Sequence, residues 1–161
     1  MNYLEFAIQM ELDGEKYYYE QAEKNKENSL YTIFTVLAKD ERMHAEALKK
    51  KGAELPHELT DENALYEYQN VFNSTGDFKL KIKATPDQID AYKLALEKES
   101  ESIKLYEKMI SQATDTEWEK LFNYLIEQEK AHYKIFDEII NHLAQANEWV
   151  ESAEFNKKEA Y

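Results

Sequence analysis

The sequence has 161 residues, a net charge of −13, no Cys, and only three Gly and two Pro. Without Cys, disulfides, iron–sulfur clusters and thiolate zinc sites are excluded, whereas hard metals on carboxylate and imidazole ligands remain possible. The acidic charge argues against nucleic-acid partners, and no apolar stretch approaches the roughly 20 residues that span a bilayer, so we expect a cytoplasmic protein with no membrane partner. Its abundance of Glu, Lys, Leu, Ala and Tyr favours long helices, and the predicted fold class is all-α.

Four long helices are predicted along the chain, arranged as two helical hairpins. Their ranges are 2–25, 29–51, 87–112 and 116–146. Residues 53–86 hold Pro56, Gly76 and a short helical candidate, and a connection of that length can cross a bundle rather than fold straight back. We expect residues 1–146 to form one four-helix bundle with a long crossover at 53–86. A weakly patterned tail follows at 147–161 and is either a short helix or frayed.

Two polar segments mark the turns of the hairpins. KNKENS lies around residue 26, and QATDT lies around residue 114. The first supplies Asn28 or Ser29 as the N-cap of the second helix, and the second supplies Thr114 or Thr116 as the N-cap of the fourth. The two turns are 88 residues apart.

The same spacing of 88 residues relates many other positions, which indicates an internal repeat. Residues from about 2 to 52 correspond to residues from about 90 to 140, and each unit is long enough for a helical hairpin. The matching pairs include Tyr18 and Tyr106, Phe34 and Phe122, Leu37 and Leu125, Glu11 and Glu99, Glu41 and Glu129, and His44 and His132.

An ionisable residue interrupts the apolar stripe of each helix at one level. Glu11 and Glu41 each lie 15 residues from position 26 in the first turn. Glu99 and Glu129 stand in the same relation to position 114 in the second turn. In an antiparallel pair such residues lie side by side, here roughly 22 Å from the turn at 1.5 Å per residue. Docking the two hairpins face to face therefore brings four carboxylates together.

Four carboxylates at one buried level require neutralisation, because each ionised group costs of the order of several kcal/mol to desolvate and repels the others. Two divalent cations bring four positive charges, and two neutral imidazoles complete the coordination without adding charge. A Glu-x-x-His spacing on the second and fourth helices places both side chains on one face, where they can bind the same ion. The predicted metal ligands are Glu11, Glu41, His44, Glu99, Glu129 and His132.

Two Tyr residues lie close to the predicted site. Tyr18 and Tyr106 are two turns beyond Glu11 and Glu99, where a phenol can donate a hydrogen bond to a ligand carboxylate of the facing hairpin, or can simply pack in the core. Glu15 is either an extra ligand or acid, or a residue that points to solvent, and we expect solvent.

Two further His residues are not expected to bind metal. Glu54 and His57 share the Glu-x-x-His spacing, but Pro56 lies between them, so we interpret them as loop residues. His142 has no repeat partner and is expected to be an exposed histidine at a helix end.

The resemblance to a known family rests on one segment in each helix: MELDGEKYYYE, LAKDERMH, LEKESESIKLYE and IEQEKAH. These segments resemble the rubrerythrin branch of the ferritin-like superfamily over about residues 2–140. The resemblance implies a ferritin-like four-helix bundle that binds two iron ions, with manganese or a mixed iron–manganese pair as the alternative. It also implies two bridging ligands, Glu41 and Glu129, and four terminal ligands, Glu11, His44, Glu99 and His132.

Members of that branch react a diferrous centre with hydrogen peroxide or dioxygen. The resemblance therefore implies a non-haem di-iron oxidoreductase for oxidative-stress defence or iron handling, expected to be a homodimer. This chain departs from the family in having no Cys for a rubredoxin domain, so electrons are expected from an external rubredoxin-like or other reductase. It also has Ser102 where the family carries another Glu one turn after the third helix's ligand, and Gly14 at the matching place in the first helix.

Two other functions fit the same residues. One is iron sequestration, in which the site oxidises Fe(II) before mineralisation inside a multi-subunit shell. The other is a non-catalytic helical bundle used for interaction, with a structural metal or none.

Overall fold

The computed structural model describes residues 2–54 and 88–159, which form four α-helices. These are α1 (Tyr3–Lys24), α2 (Leu30–Glu54), α3 (Gln88–Gln112) and α4 (Thr116–Glu159). The described residues contain no strand, so the all-α prediction is confirmed. None of these four helices carries an apolar stretch that could cross a bilayer.

Polar side chains fix where the helices begin. Asn2 and Glu5 form a capping box at the start of α1, in which each side chain accepts a hydrogen bond from the other's backbone N–H. Asn28, one of the two residues predicted to cap α2, accepts a hydrogen bond from the Leu30 N–H where that helix begins. At α4 the prediction of Thr114 or Thr116 was wrong. Asp115 accepts the hydrogen bond from the Glu117 N–H, because its carboxylate is the oxygen at the position before the first helical residue.

Two helices are longer than predicted. α2 continues to Glu54 rather than 51, so the helix includes the first two residues of the predicted crossover. α4 continues to Glu159, so the predicted boundary at 146 does not coincide with a helix end. The reason is local, since residues 144–159 contain no Gly or Pro and are rich in Ala and Glu. The rest of the predicted crossover, with its short helical candidate, lies outside the described residues.

The two hairpins pack with their turns at opposite ends of the bundle. α1 packs along α2, and α3 packs along α4, while α1 meets α3 and α2 meets α4 between the hairpins. One apolar cluster, named here the Phe122 cluster, lies at the turn of the second hairpin and includes Tyr3, Ala7, Met10, Leu48, Leu105, Tyr106, Met109, Trp118, Phe122, Leu125 and Ile126. The Phe34 cluster lies at the turn of the first hairpin and comprises Tyr17, Tyr18, Ala22, Phe34, Leu37, Ala38, Tyr92, Ala95 and Phe136.

The internal repeat is visible in these two clusters. Phe34 and Phe122 are repeat partners and occupy corresponding places in the two clusters, as do Tyr18 and Tyr106. α2 therefore ends beside one cluster, near Leu48, whereas α3 begins beside the other, near Tyr92. The end of α2 and the start of α3 therefore lie at opposite ends of the bundle, and the crossover between them stays a prediction.

Candidate metal centre

The six predicted ligands lie together in a polar layer between the Phe122 and Phe34 clusters. The four carboxylates are completely buried, and the two imidazoles are 2% and 3% exposed. Each helix contributes to this layer at the level predicted from the distance to its turn. The residues are Glu11 on α1, Glu41 and His44 on α2, Glu99 on α3, and Glu129 and His132 on α4.

The ligand atoms fall into two groups, each compact enough to surround one metal ion. Within each group, one ligand atom per residue lies within 4.8 Å of every other. The first group is Glu11, Glu41, His44 and Glu129, and the second is Glu41, Glu99, Glu129 and His132. Glu41 and Glu129 belong to both groups. Two carboxylates shared in this way have the arrangement required of bridging ligands.

Both His rings direct Nδ1 toward the carboxylates. His44 Nδ1 lies 3.0 Å from Glu129 Oε1 and 3.3 Å from Glu11 Oε2. His132 Nδ1 lies 3.3 Å from Glu41 Oε1. The two rings are stacked with their centroids 5.7 Å apart. The imidazole lone pairs can therefore enter the same small volume as the carboxylate oxygens.

Two phenols tie the hairpins together at this layer. Tyr18 on α1 donates a hydrogen bond to Glu99 on α3, and Tyr106 on α3 donates one to Glu11 on α1. Burial raises the pKa of both Tyr side chains well above the ordinary value, and the nearby carboxylates raise it further. The phenols therefore stay protonated and act as donors. Of the two alternatives predicted for them, the structure shows the hydrogen bond as well as core packing.

Crowding of the carboxylates alters how the layer binds protons. Burial, reinforced by the charges of Glu11 and Glu129, raises the pKa of Glu41 from 4.5 to about 8. Burial and the charge of Glu11 raise the pKa of Glu129 well above its ordinary value. Although burial opposes the change, the close carboxylates of Glu11 and Glu129 raise the pKa of His44 from 6.5 to about 11. Without metal, the layer thus retains protons that a bound cation would replace.

Lys98 is a buried cation that the sequence reasoning missed. Its side chain on α3 is completely buried, and its Nζ lies 2.5 Å from Glu41 Oε2. Burial would raise the pKa of Glu11, but the charge of Lys98 holds it well below the ordinary value. The predicted balance of four carboxylates against two divalent cations omitted this positive charge, so it was incomplete. The available signal was the repeat, in which the partner of Lys98 is the apolar Met10.

Asp40 is a second residue that was missed. Its Oδ2 lies 3.1 Å from Nε2 of His132, the ring nitrogen that faces away from the carboxylates. If Nδ1 of His132 held a metal ion, Nε2 would carry the ring proton and would donate a hydrogen bond to Asp40, which would fix the tautomer and the ring orientation. The corresponding Nε2 of His44 has no hydrogen-bond partner among the described residues. The repeat partner of Asp40 is Gln128, so only one half of the chain carries a carboxylate at this position.

The remaining polar residues considered from the sequence lie outside the layer. Glu15 is half-buried and lies 3.6 Å from Arg42 Nε, so it neither joins a ligand group nor points freely to solvent. His142 is exposed, as expected, but α4 continues beyond it. Glu54 was predicted to be a loop residue, but it is the last residue of α2, where it is exposed with its carboxylate 3.6 Å from Lys51 Nζ. His57 lies outside the described residues.

Unsatisfied ligand atoms provide a test of whether the layer suits metal. Buried atoms with no well-aligned hydrogen bond include Oε1 of Glu41, Oε2 of Glu99, both carboxylate oxygens of Glu129, and Nδ1 of His132. Leaving such atoms unpaired in an apolar interior is costly. Carboxylate oxygen and imidazole nitrogen are ligands that iron and manganese accept. These residues therefore fit a metal ion at each group.

Comparison with known proteins agrees with this geometry. No curated protein and no solved structure gives a significant match to the chain. A family model described as Rubrerythrin matches residues 2–140, which includes all six residues of the two ligand groups. The match covers most of the 161 residues, and the fold and the buried Glu–His layer agree with it. The chain belongs to the rubrerythrin family.

Proposed function

We propose that this protein is a non-haem di-iron oxidoreductase that reduces hydrogen peroxide or dioxygen. The observation that supports the proposal most directly is the pair of buried ligand groups that share Glu41 and Glu129. Membership of the rubrerythrin family supports iron as the metal, with manganese or a mixed pair as the alternative.

Each ligand has a distinct task under this proposal. Glu41 and Glu129 would bridge the two ions, because each belongs to both groups. His44 and Glu11 would complete the first group. His132 and Glu99 would complete the second. A bound iron pair would supply electrons and polarise the oxidant. The apolar clusters on either side exclude bulk water, which strengthens the electrostatic interactions inside the layer.

The electron balance requires a partner. Reduction of hydrogen peroxide to two molecules of water consumes two electrons and two protons. These 161 residues contain no Cys, so they cannot hold the Cys-bound iron of a rubredoxin centre. An external donor, either a rubredoxin-like protein or another reductase, would return the electrons.

The test is anaerobic loading of the metal-free protein with ferrous iron, followed by addition of hydrogen peroxide. We expect two ions per chain and a change in the near-ultraviolet absorbance when peroxide is added. Glu41→Gln removes the charge of a bridging ligand and should abolish binding of at least one ion. Glu15→Gln is the matched control, since Glu15 is one turn from Glu11 but outside both ligand groups, and it should bind two ions. Fewer than two ions in the unaltered protein, or no absorbance change, contradicts the proposal.

Size-exclusion chromatography separates this function from iron sequestration. A homodimer or other small oligomer is expected for the oxidoreductase, whereas a mineral-storing shell would elute at hundreds of kilodaltons. Replacing both Glu41 and Glu129 by Ala distinguishes the third alternative. A non-catalytic interaction bundle would keep its partner after that change, although metal uptake would be lost.

A further inference from the structure

Lys98 occupies the space between the four carboxylates of the metal centre. Its Nζ lies 2.5 Å from Glu41 Oε2, and its distances to Oε2 of Glu129, Glu99 and Glu11 are 3.6, 3.7 and 3.8 Å. No other side chain of the described residues has ion pairs with all four. The ammonium group is therefore beside both bridging carboxylates and both terminal ones.

The fold makes room for this side chain at one position on α1. A Cβ atom at Gly14 would lie 3.2 Å from Cε of Lys98 and 3.0 Å from Oε2 of Glu41, both tighter than ordinary contacts. The repeat partner of Gly14 is Ser102, and the repeat partner of Lys98 is Met10. Ser102 Oγ lies 3.7 Å from Met10 Sδ. At the equivalent position, Ser102 therefore replaces the smaller Gly14, and the apolar Met10 replaces Lys98. The pairing of Lys98 with Gly14 therefore exists on one side of the bundle only.

Charge explains what the ammonium group does there. Four carboxylates lie within 3.8 Å of Nζ, so the ammonium form is favoured although the side chain is completely buried. A buried ammonium is tolerated only when it is paired in this way, and removing it takes a neighbouring positive charge away from all four carboxylates. Two divalent ions in the two ligand groups would place four positive charges around the same position, where Lys98 would be repelled.

We propose that Lys98 is an intramolecular counter-ion that takes the place of a cation in the metal-free centre and must move away from Glu41 when the second divalent ion binds. This inference rests on the proposed two-ion function. It has two consequences. Metal-free protein depends on Lys98 for stability, and the two ions bind with unequal affinity. One divalent ion and the ammonium group together bring three positive charges to four carboxylates, whereas a second ion raises the total to five and repels the ammonium group.

The first experiment is calorimetric titration of the metal-free, full-length protein with manganous chloride, which binds the same ligands without oxidation. The variant is Lys98→Met, which installs the residue found at the repeat position. The matched control is Lys104→Met, which removes an exposed lysine from the same helix. We expect Lys98→Met to lower the second dissociation constant by about tenfold or more, and Lys104→Met to leave both constants unchanged. An unchanged or larger second dissociation constant in Lys98→Met overturns the proposal.

The second experiment is thermal unfolding of the same variants without metal. Lys98→Met should unfold at a lower temperature than the unaltered protein, and Lys104→Met at nearly the same temperature. Lys98→Arg keeps the charge and should retain most of the stability. If Lys98→Met folds only when manganese is present, the proposal is supported. If Lys98→Arg loses as much stability as Lys98→Met, shape rather than charge is what matters, and the proposal fails.

The two experiments separate this inference from the proposed function. If the unaltered protein binds fewer than two ions and Lys98→Met binds two, the two-ion function fails and the counter-ion role is upheld. If neither binds two ions, the two-ion function fails again, and the metal-free unfolding temperatures alone decide the role of Lys98. If the unaltered protein binds two ions and Lys98→Met has the same constants, only the counter-ion role fails.

Discussion

The phenol of Tyr18 on α1 donates a hydrogen bond to the carboxylate of Glu99 on α3, 81 residues away in the sequence. The repeat supplies the reciprocal bond, from Tyr106 on α3 to Glu11 on α1. Each phenol therefore binds a carboxylate of the other hairpin, and each hydrogen bond connects the Phe34 or Phe122 cluster to the polar layer.

Tyr18→Phe should weaken metal binding while preserving the fold. The substitution keeps the ring in the Phe34 cluster but leaves Glu99 without its donor, and loss of such a partner typically costs 10–100-fold in metal affinity. Manganese titration measures the effect. Tyr17→Phe is the control, because the hydroxyl of Tyr17 donates to the Ala91 carbonyl rather than to a ligand. Equal affinities for the two variants would contradict the assigned role.

Asp40→Ala should weaken one ion more than the other. Asp40 contacts Nε2 of His132, whereas Nε2 of His44 has no hydrogen-bond partner among the described residues. We expect a 10–100-fold loss of affinity for the ion bound by His132 and little change for the other. Titration with manganese resolves the two steps. Gln128→Ala, at the repeat position, serves as the control and should change neither step by more than about twofold, a difference of less than 0.5 kcal/mol. A uniform loss in both steps would count against a specific effect on His132.

The metal-free protein should become less stable as the pH rises from about 4.5 to 8. The pKa of Glu41 is raised in the folded state to about 8, so the folded state binds more protons than the unfolded state in this interval. The raised pKa values of Glu129 and of His44, which reaches about 11, act in the same direction. The lowered pKa of Glu11 has the opposite sign, but its contribution is lost only as the pH falls below 4.5.

Thermal unfolding after treatment with a chelator tests this pH dependence. The unfolding temperature of metal-free protein should decrease as the pH is raised from 5 to 8. The unfolding temperature of manganese-loaded protein should increase over the same interval, because bound metal requires deprotonated ligands. A metal-free midpoint that rises over the same interval would show that the layer does not retain protons.

Gly14→Ala should be less favourable when Lys98 is present than in the Lys98→Met background. Alanine favours a helix over glycine by about 1 kcal/mol, but here the new Cβ lies 3.2 Å from Cε of Lys98. We expect metal-free protein to gain less than this, or to lose stability, when Lys98 is present, and to gain more in the Lys98→Met background. The double-mutant cycle from denaturant unfolding should give a coupling of at least about 0.5 kcal/mol. A coupling near zero would mean that the two side chains do not compete for space.

The six candidate ligands could be predicted because the same pattern of Glu and His residues occurs in both halves of the repeat. Glu41 and Glu129 are each followed at three residues by His, and both pairs lie on apolar stripes at one distance from a turn. Lys98 and Asp40 have no matching residue in the other half, so at these positions the repeat signals only a difference between the halves and does not indicate a role. The repeat partner of Lys98 is Met10, and the repeat partner of Asp40 is Gln128.

Helix ends were harder to predict than the candidate ligands, because several neighbouring residues can cap a helix. Three consecutive residues in the second turn, Thr114, Asp115 and Thr116, all carry side-chain oxygens, and only the backbone path decides which one caps α4. The predicted end of α4 at 146 is too early, because weak apolar patterning does not by itself end a helix. A helix needs a reason to end, such as Gly or Pro, and residues 144–159 offer neither.

The repeat also bears on why the two halves belong to one polypeptide. A symmetric pair of identical hairpins could present the same four Glu and two His, but it would have to place lysine at both equivalent positions or at neither. A single continuous chain has no such restriction, so it can keep Met10 in one half and Lys98 in the other. Joining the halves therefore permits two neighbouring ions to differ in binding strength although their nearest ligands are the same.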